Sequence, residues 1–110
     1  MSLYQKIQQA LDNRDYEDAI SHYHDDYVFI RHQSGTSMSR VDWLPVFKQM
    51  MESPELAFHK SRCLYENDDI IVSHSVMSFP DGSSEAVLVV HMLREGKIIR
   101  TETGATPISL

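Results

Sequence analysis

The N-terminal half of the chain carries apolar side chains at the spacing of helices. A first helix is predicted after Ser2, because Ser2 and Gln5 form a capping-box pattern and the apolar residues that follow share one helical face: Leu3, Ile7, Ala10 and Leu11. A second, short helix is predicted after Asp15, which is a favoured N-cap residue type followed by two acids in the first turn.

Residues 27–51 predict a strand, a loop and a third helix. Residues 27–30 are aromatic or β-branched and indicate a short strand, whereas residues 33–38 are interpreted as a polar loop. Apolar residues at helical spacing over 41–51 predict the helix. Its N-cap is either Ser39, which would place Pro45 inside the helix, or Asp42, which would place Pro45 in the first turn.

The pattern changes to that of strands after Glu55. Strands are predicted at about 56–66, 69–79, 84–94 and 97–104, and residues that favour turns separate them: Asn67-Asp68, Pro80 to Ser83 and Glu95-Gly96. Helices followed by a run of paired strands are typical of an α+β domain. With 110 residues, the chain is predicted to form one domain over 1–110.

Composition narrows the classes of partner. The formal net charge of −6 argues against nucleic acid, because phosphate binding needs a basic surface. The longest apolar run, residues 86–90, is too short to span a bilayer, and no signal-peptide pattern is present, so no membrane partner is expected. Cys63 is the single cysteine, which favours a reducing, cytoplasmic location.

The turns predict which strand residues face each other. If Glu95-Gly96 and Asp81-Gly82 are two-residue turns, His91 lies opposite Arg100, while Val89 lies opposite both Glu102 and His74. One face of the sheet would then carry His74, His91, Arg100 and Glu102 among valines. Both faces would be substantially apolar, so a second subunit is expected to cover the outer one. The alternative is that small polar residues make the outer face polar enough to be exposed to water without a partner subunit.

Two segments resemble a known family. Residues 15–20 with 23–29 are similar to the helix-to-strand segment of the nuclear transport factor 2-like superfamily, in its SnoaL-like and ketosteroid-isomerase-like branch, and residues 95–98 resemble its last hairpin. The resemblance implies a cone-shaped, cystatin-like fold in which a curved mixed or antiparallel sheet packs on three N-terminal helices. It also implies that Ile98 points into a pocket, and that many members are dimers without one shared activity.

The resemblance does not extend to the residues of ketosteroid isomerisation. The family's carboxylate base matches a place held here by Arg31 or His32, and the position of its tyrosine donor is close to Ile7. Steroid isomerisation by the family's mechanism is therefore not expected.

The predicted site is the face that carries the two histidines. His74, His91 and Glu102 would transfer protons, His32 would assist them, and Arg100 would hold an oxygen of the ligand. Tyr27, Trp43 and Val89 would line the pocket. The ligand would be a small apolar or carbonyl-containing molecule, with no metal and no cofactor required.

Two functions remain open for such a site. One is a cofactor-independent isomerase, cyclase or dehydratase. The other is a non-catalytic dimeric binding or assembly module, in which Arg100 and Glu102 form a rim ion pair and the histidines are ordinary hydrogen-bonded residues.

Overall fold

The chain folds into a curved six-stranded mixed sheet that packs against three helices, as the computed structural model of residues 1–109 shows. The strands lie in the order β2-β1-β6-β5-β4-β3. The elements are α1 (Leu3–Asp12), α2 (Tyr16–Ile20), β1 (Tyr23–Arg31), β2 (Thr36–Ser39), α3 (Arg40–Glu52), β3 (Ala57–Glu66), β4 (Ile70–Ser78), β5 (Ser84–Arg94) and β6 (Lys97–Ile108). The α+β class and its three N-terminal helices are confirmed.

Both of the first two helix starts are confirmed by their hydrogen bonds. The Gln5 backbone N–H donates to Ser2 Oγ at 3.1 Å, and the Ser2 backbone N–H donates to Gln5 Oε1 at 2.9 Å, which completes the capping box. The Asp15 carboxylate accepts from the Asp18 backbone N–H at 3.1 Å. None of the helices within residues 1–109 is long and apolar enough to cross a membrane.

The third helix takes the first of the two predicted starts. Ser39 is its N-cap residue, so the Asp42 alternative is wrong and Pro45 lies inside the helix. Pro45 lacks the N–H that would bond the Val41 carbonyl. Val41 is 75% exposed, so this turn is open to water, which can hydrate the carbonyl that Pro45 leaves free.

The predicted loop at 33–38 contains an unpredicted strand. Residues 36–39 form β2, which pairs antiparallel with β1 at the edge of the sheet. The interpretation as loop was wrong there because an edge strand of four residues, three of them small and polar, gives too short an alternation to recognise. On its other side β1 pairs with β6 in parallel, and this makes the sheet mixed.

The predicted register between β5 and β6 is wrong by one residue. Arg94 does face Lys97, and Leu93 faces Ile98, but a β-bulge then leaves Ile99 without a partner. As a result Met92 faces Arg100, and His91 faces Thr101 instead of Arg100.

The predicted register between β4 and β5 is also wrong by one residue. The connection is five residues long, because Ser78 pairs with Ser84 and the Phe79 backbone N–H donates to the Ser83 carbonyl at 2.9 Å. His74 therefore faces Leu88, and Val89 faces Ser73. A shift of one residue moves every side chain of a strand to the other side of the sheet.

These two shifts decide which side chains face the helices. The inner face, which we define as the helix-covered side, carries Ile71, Ser73, Ser75, Val87, Val89, His91, Ile98, Thr101 and Thr103. The outer face carries Val72, His74, Val76, Leu88, Val90, Met92, Arg100 and Glu102. Of the residues that were predicted to share the pocket-facing side, only those of β5 and Ile98 lie together on the inner face. We call the space between the inner face and the helices α1 and α3 the cone.

An aromatic core closes the end of the cone near α1. Five buried side chains form it: Ile7, Tyr23, Tyr27, Trp43 and Ile98. Ile98 is fully buried in this core and so faces the cone side of the sheet, the side that the resemblance implied. Burial of side chains of this size stabilises the fold by roughly 1.5–3 kcal/mol each.

Arg14 ties the turn between α1 and α2 to the end of α3. Its guanidinium donates to the Met51 carbonyl at 3.2 Å, to the Ser53 carbonyl at 3.1 Å and to the Leu56 carbonyl. These bonds satisfy carbonyls at and beyond the end of a helix that has no basic residue in its last turn.

We therefore expect Arg14→Ala to lower the free energy of unfolding by about 1–2 kcal/mol, because hydrogen bonds that involve a charged group are lost. Chemical denaturation measures this difference. Arg94→Ala is the matched control, because Arg94 is exposed and its side chain makes no hydrogen bond within residues 1–109. Equal effects of the two substitutions would contradict this role of Arg14.

Candidate functional site

The structure divides the eight predicted site residues between the two faces of the sheet. His74, Arg100 and Glu102 lie on the outer face, and His32 joins them from the end of β1. The other four residues belong to the cone side: His91, Val89, Tyr27 and Trp43. The four predicted catalytic residues therefore do not share one face.

Glu102 holds a small charged cluster together on the outer face. Its Oε1 lies 2.7 Å from His32 Nε2, and its Oε2 accepts from Arg100 Nε at 3.0 Å. The bond to His32, and then that to Arg100, hold the pKa of Glu102 below its usual value. The side chains of His32 and Arg100 are 60% and 42% exposed, so this cluster is a surface ion-pair network outside the cone.

His74 is half-buried on the same outer face. It lies between Leu88 of β5 and Arg62 of β3. Its imidazole makes no side-chain hydrogen bond within the part of the chain that the structure describes. The prediction that His74 and His91 contact the same ligand is not supported, because the sheet separates the two imidazoles.

His91 is the histidine that faces the cone. Its Nδ1 lies 2.8 Å from Thr101 Oγ1, directly across the strand pair. Burial lowers the pKa of His91 to about 4, because a charged imidazole loses hydration there. The ring is therefore neutral at pH 7.

Aromatic rings of β1 and α3 form the wall of the cone beside this histidine. The centroids of Tyr27 and Trp43 are 4.5 Å apart, and those of Tyr23 and Tyr27 are 4.8 Å apart in an edge-to-face arrangement. Burial raises the pKa of both tyrosines, and hydrogen bonding with Thr101 opposes the rise at Tyr27. Both phenols consequently keep their protons at physiological pH.

Four hydroxyl-bearing residues of the inner face were not predicted to lie in the pocket. Ser73, Ser75, Thr101 and Thr103 lie on the inner face and are at most 8% exposed. The pattern of small polar residues at every second position was visible, but the wrong register placed it on the outer face. No sequence signal marks the bulge at Ile99 that brings Thr101 and Thr103 inside.

A half-buried ion pair lies on the inner face at the other end of the same strands. The guanidinium of Arg31 is 2.9 Å from the Glu85 carboxylate, whose side chain is 13% exposed. The side-chain amide of Gln33 lies 3.2 Å from Thr103 Oγ1 and 3.3 Å from Arg31 Nε. The family resemblance matches its carboxylate base to Arg31 or His32. Of these two residues, Arg31 is the one on the inner face.

Two cavities open at the surface away from His91. One, of about 570 Å³, is lined by Leu3, Glu66, Asp68, Leu93 and neighbouring residues, and the other, of about 380 Å³, lies beside Arg14 and Pro54. None of the predicted site residues lines either cavity. Among residues 1–109, no three His, Cys, Asp or Glu side chains are grouped in a way that could hold a metal ion.

Several solved structures share this fold. A protein of the NTF2-like type from Mesorhizobium loti is 11% identical, with a TM-score of 0.79, over 94% of this chain and 87% of that one. A candidate ketosteroid isomerase from Kribbella flavida is 19% identical, with a TM-score of 0.74, over 98% and 78%. A candidate polyketide cyclase from Pseudomonas putida is 11% identical, with a TM-score of 0.76, over 94% and 91%. At these identities the likeness shows the fold alone.

The search of curated proteins found no match. A family model described as the SnoaL-like domain matches residues 4–101, which include the three helices except for Leu3, and most of the sheet. The chain belongs to the SnoaL-like domain family.

Proposed function

We propose that the chain binds a small, uncharged, mostly apolar molecule in the cone, and that an oxygen of this molecule contacts His91. The supporting observation is a group of polar side chains on the inner face that lack protein partners. The hydroxyls of Ser73 and Ser75 and the Nε2 of His91 make no side-chain hydrogen bond within residues 1–109. A buried polar group without a partner costs roughly 1–3 kcal/mol, so water or a ligand is needed there.

Several groups of the inner face are in contact with solvent. In the described part of the chain, the fully enclosed polar atoms without a partner are His22 Nε2, Arg40 Nε and Ser61 Oγ. The Ser73 and Ser75 hydroxyls are not among them, so each retains some contact with solvent. Val89 and His91 are each partly exposed on the inner face. Apolar side chains that are only partly buried flank the aromatic core, including Phe29, Met38 and Leu44.

The charges of the cone favour an uncharged ligand. The imidazole of His91 is neutral at pH 7, the phenols of Tyr23 and Tyr27 are protonated, and Arg31 is already paired with Glu85. An anionic ligand would have to lose its hydration, and among residues 1–109 the cation on the inner face, Arg31, is already paired. A carbonyl or hydroxyl oxygen needs only a hydrogen bond.

The names of two structural neighbours, the candidate ketosteroid isomerase and the candidate polyketide cyclase, fit a ligand that carries ketone groups. Isomerase, cyclase or dehydratase chemistry at this site would depend on His91, with Tyr27 and Thr101 beside it. His74, Glu102 and His32 would not contact the same molecule, because they lie on the outer face.

The sole tryptophan makes the proposal testable. Trp43 lies in the wall of the cone, so we expect its fluorescence to change when decalone, an uncharged bicyclic ketone, is titrated into the protein. The matching decalin carboxylate should bind at least about tenfold more weakly, because its charge would be buried unpaired. His91→Phe should raise the Kd for decalone about 3- to 10-fold, as one hydrogen bond is lost.

His74→Phe is the matched control for this titration, because His74 lies on the adjacent strand but on the outer face. It should leave the Kd for decalone unchanged. Equal losses in the two variants, or equal binding of the ketone and the carboxylate, would contradict a site on the inner face.

The neutral imidazole also predicts a pH dependence of stability. Burial lowers the pKa of His91 to about 4 in the folded chain, whereas its ordinary value, which applies to the unfolded chain, is 6.5. Between pH 4 and pH 6.5 the unfolded chain therefore binds more protons than the folded chain. The free energy of unfolding should fall as the pH falls from 6.5 to 4, by up to about 3 kcal/mol. Urea denaturation over this range should show the fall in the wild type and a flatter curve in His91→Gln. A curve of unchanged steepness would contradict the assignment.

A second candidate function is assembly through the outer face, and it is supported by the exposed apolar side chains of that face. This face exposes large apolar side chains: Tyr65 at 58%, Leu88 at 44% and Met92 at 37%, beside the half-buried Val72 and Val90. Contiguous apolar surface of this kind marks interaction sites. We propose that a second copy of the chain covers it, in a homodimer.

Sedimentation equilibrium tests this dimer. We expect the wild type to sediment as a dimer and the double substitution Leu88→Asp with Met92→Lys to sediment as a monomer, because charges would be buried in the interface. Val41→Asp is the control: Val41 is 75% exposed but lies on α3, away from the sheet. A monomeric wild type at high micromolar concentration would exclude the outer-face dimer.

A further inference from the structure

Gly104 is the one of the four glycines whose backbone conformation does not call for glycine. The φ angles of Gly35, Gly82 and Gly96 lie between 67° and 86°, where other residues are strained, whereas Gly104 lies within β6 and has no positive φ. A glycine inside a strand weakens it, because glycine gains more freedom on unfolding and offers no side chain to pack. Another reason for a glycine at this position is therefore needed.

Gly104 leaves an unfilled depression in the outer face. It is exposed, and it pairs directly with Leu88 of β5. A Cβ placed on Gly104 would meet no atom within 4 Å among residues 1–109, its two chain neighbours aside. The side chain of Leu88, which is 44% exposed, therefore does not cover the depression. A glycine of this kind marks a place where another backbone or a ligand approaches closely.

The leucine and the depression beside it are complementary to each other. Residues that pair across antiparallel strands are about 5 Å apart, so Leu88 and Gly104 form a projection and a depression side by side. In a two-fold dimer every contact between two residues occurs twice, once in each direction. A two-fold axis that runs between β5 and β6, along the strands, would place each Leu88 over Gly104 of the partner subunit.

We propose that Leu88 of each subunit inserts into the depression at Gly104 of the other, and that this contact fixes the register of the dimer. This inference rests on the proposed outer-face dimer and names its central contact. A second copy is the occupant that the geometry favours, because one axis fills both depressions. The nearby charge of Glu102 is already compensated by Arg100 and His32, so covering this part of the face leaves it paired.

Gly104→Val tests the contact by filling the depression. We expect the Kd of the dimer, measured by sedimentation equilibrium, to rise at least about tenfold, because the two added side chains would hold the sheets apart. In the monomeric variant Leu88→Asp with Met92→Lys, Gly104→Val should not lower the midpoint of urea unfolding, since a Cβ there meets no neighbour and valine favours strands. A lower midpoint would show that the single chain itself needs this glycine, and would overturn the proposal.

Thr106→Val is the matched control, because Thr106 is the next outward-facing residue of β6 and valine has nearly the same size as threonine. It should not raise the Kd of the dimer. Adding Leu88→Ala to Gly104→Val should lower the Kd again, because a smaller side chain then faces the new valine. Independent, additive losses in this double variant would contradict the contact.

The remaining outcomes separate this contact from the dimer itself. A monomeric wild type would overturn both, whereas a dimer that Gly104→Val leaves intact would overturn the contact alone and leave the outer-face dimer standing. If Gly104→Val does not fold, Gly104→Ala decides, with an expected rise in Kd of at least about threefold.

Discussion

The pairing of β5 with its two neighbours is the constraint on which this structure depends. β5 carries Val87, Val89 and His91 into the cone, and each neighbouring strand contributes the residues that stand directly opposite. A five-residue turn fixes β4 against β5, and the bulge at Ile99 fixes β6. Since the side chains of a strand alternate between faces, these two local features decide the chemistry of the whole inner face.

The result is a cone that is apolar at one end and neutral but polar in the middle. The aromatic core around Trp43 and Ile98 holds the helices on the sheet. Hydroxyls of β4 and β6 and the imidazole of His91 follow along the same face. The Ser73 and Ser75 hydroxyls of β4 and the Nε2 of His91 stabilise nothing while they lack partners. Their presence beside an already paired Arg31 and Glu85 is what an oxygen-containing, uncharged ligand would require. The cluster of His32, Arg100 and Glu102 lies on the outer face.

Much of the fold could be predicted from sequence because its signals are local. The caps at Ser2 and Asp15 depend on residues within one turn, and the long strands follow from alternation and turn residues. The faces of β4 and β6 could not be predicted, because a turn of five residues and a turn of two can be built from the same Pro-Asp-Gly-Ser segment. Likewise, no residue type marks Ile99 as a bulge.

The candidate site shows the same limit. His91, Val89, Tyr27 and Trp43 were placed on the cone side, since β5 and the aromatic core are fixed by strong apolar patterns. His74, Arg100 and Glu102 were placed with them only through pairing partners, and a shift of one residue moved them to the outer face. The charged cluster at Glu102 is therefore a consequence of register that only the three-dimensional structure reveals.

The most direct test of a polar binding site in the cone is a high-resolution crystal structure of the purified protein. We predict ordered water or ligand density within hydrogen-bonding distance of His91 Nε2 and of the Ser73 and Ser75 hydroxyls. A cone filled by side chains, with those hydroxyls bonded to neighbouring protein groups and no density between the sheet and α3, would contradict the account.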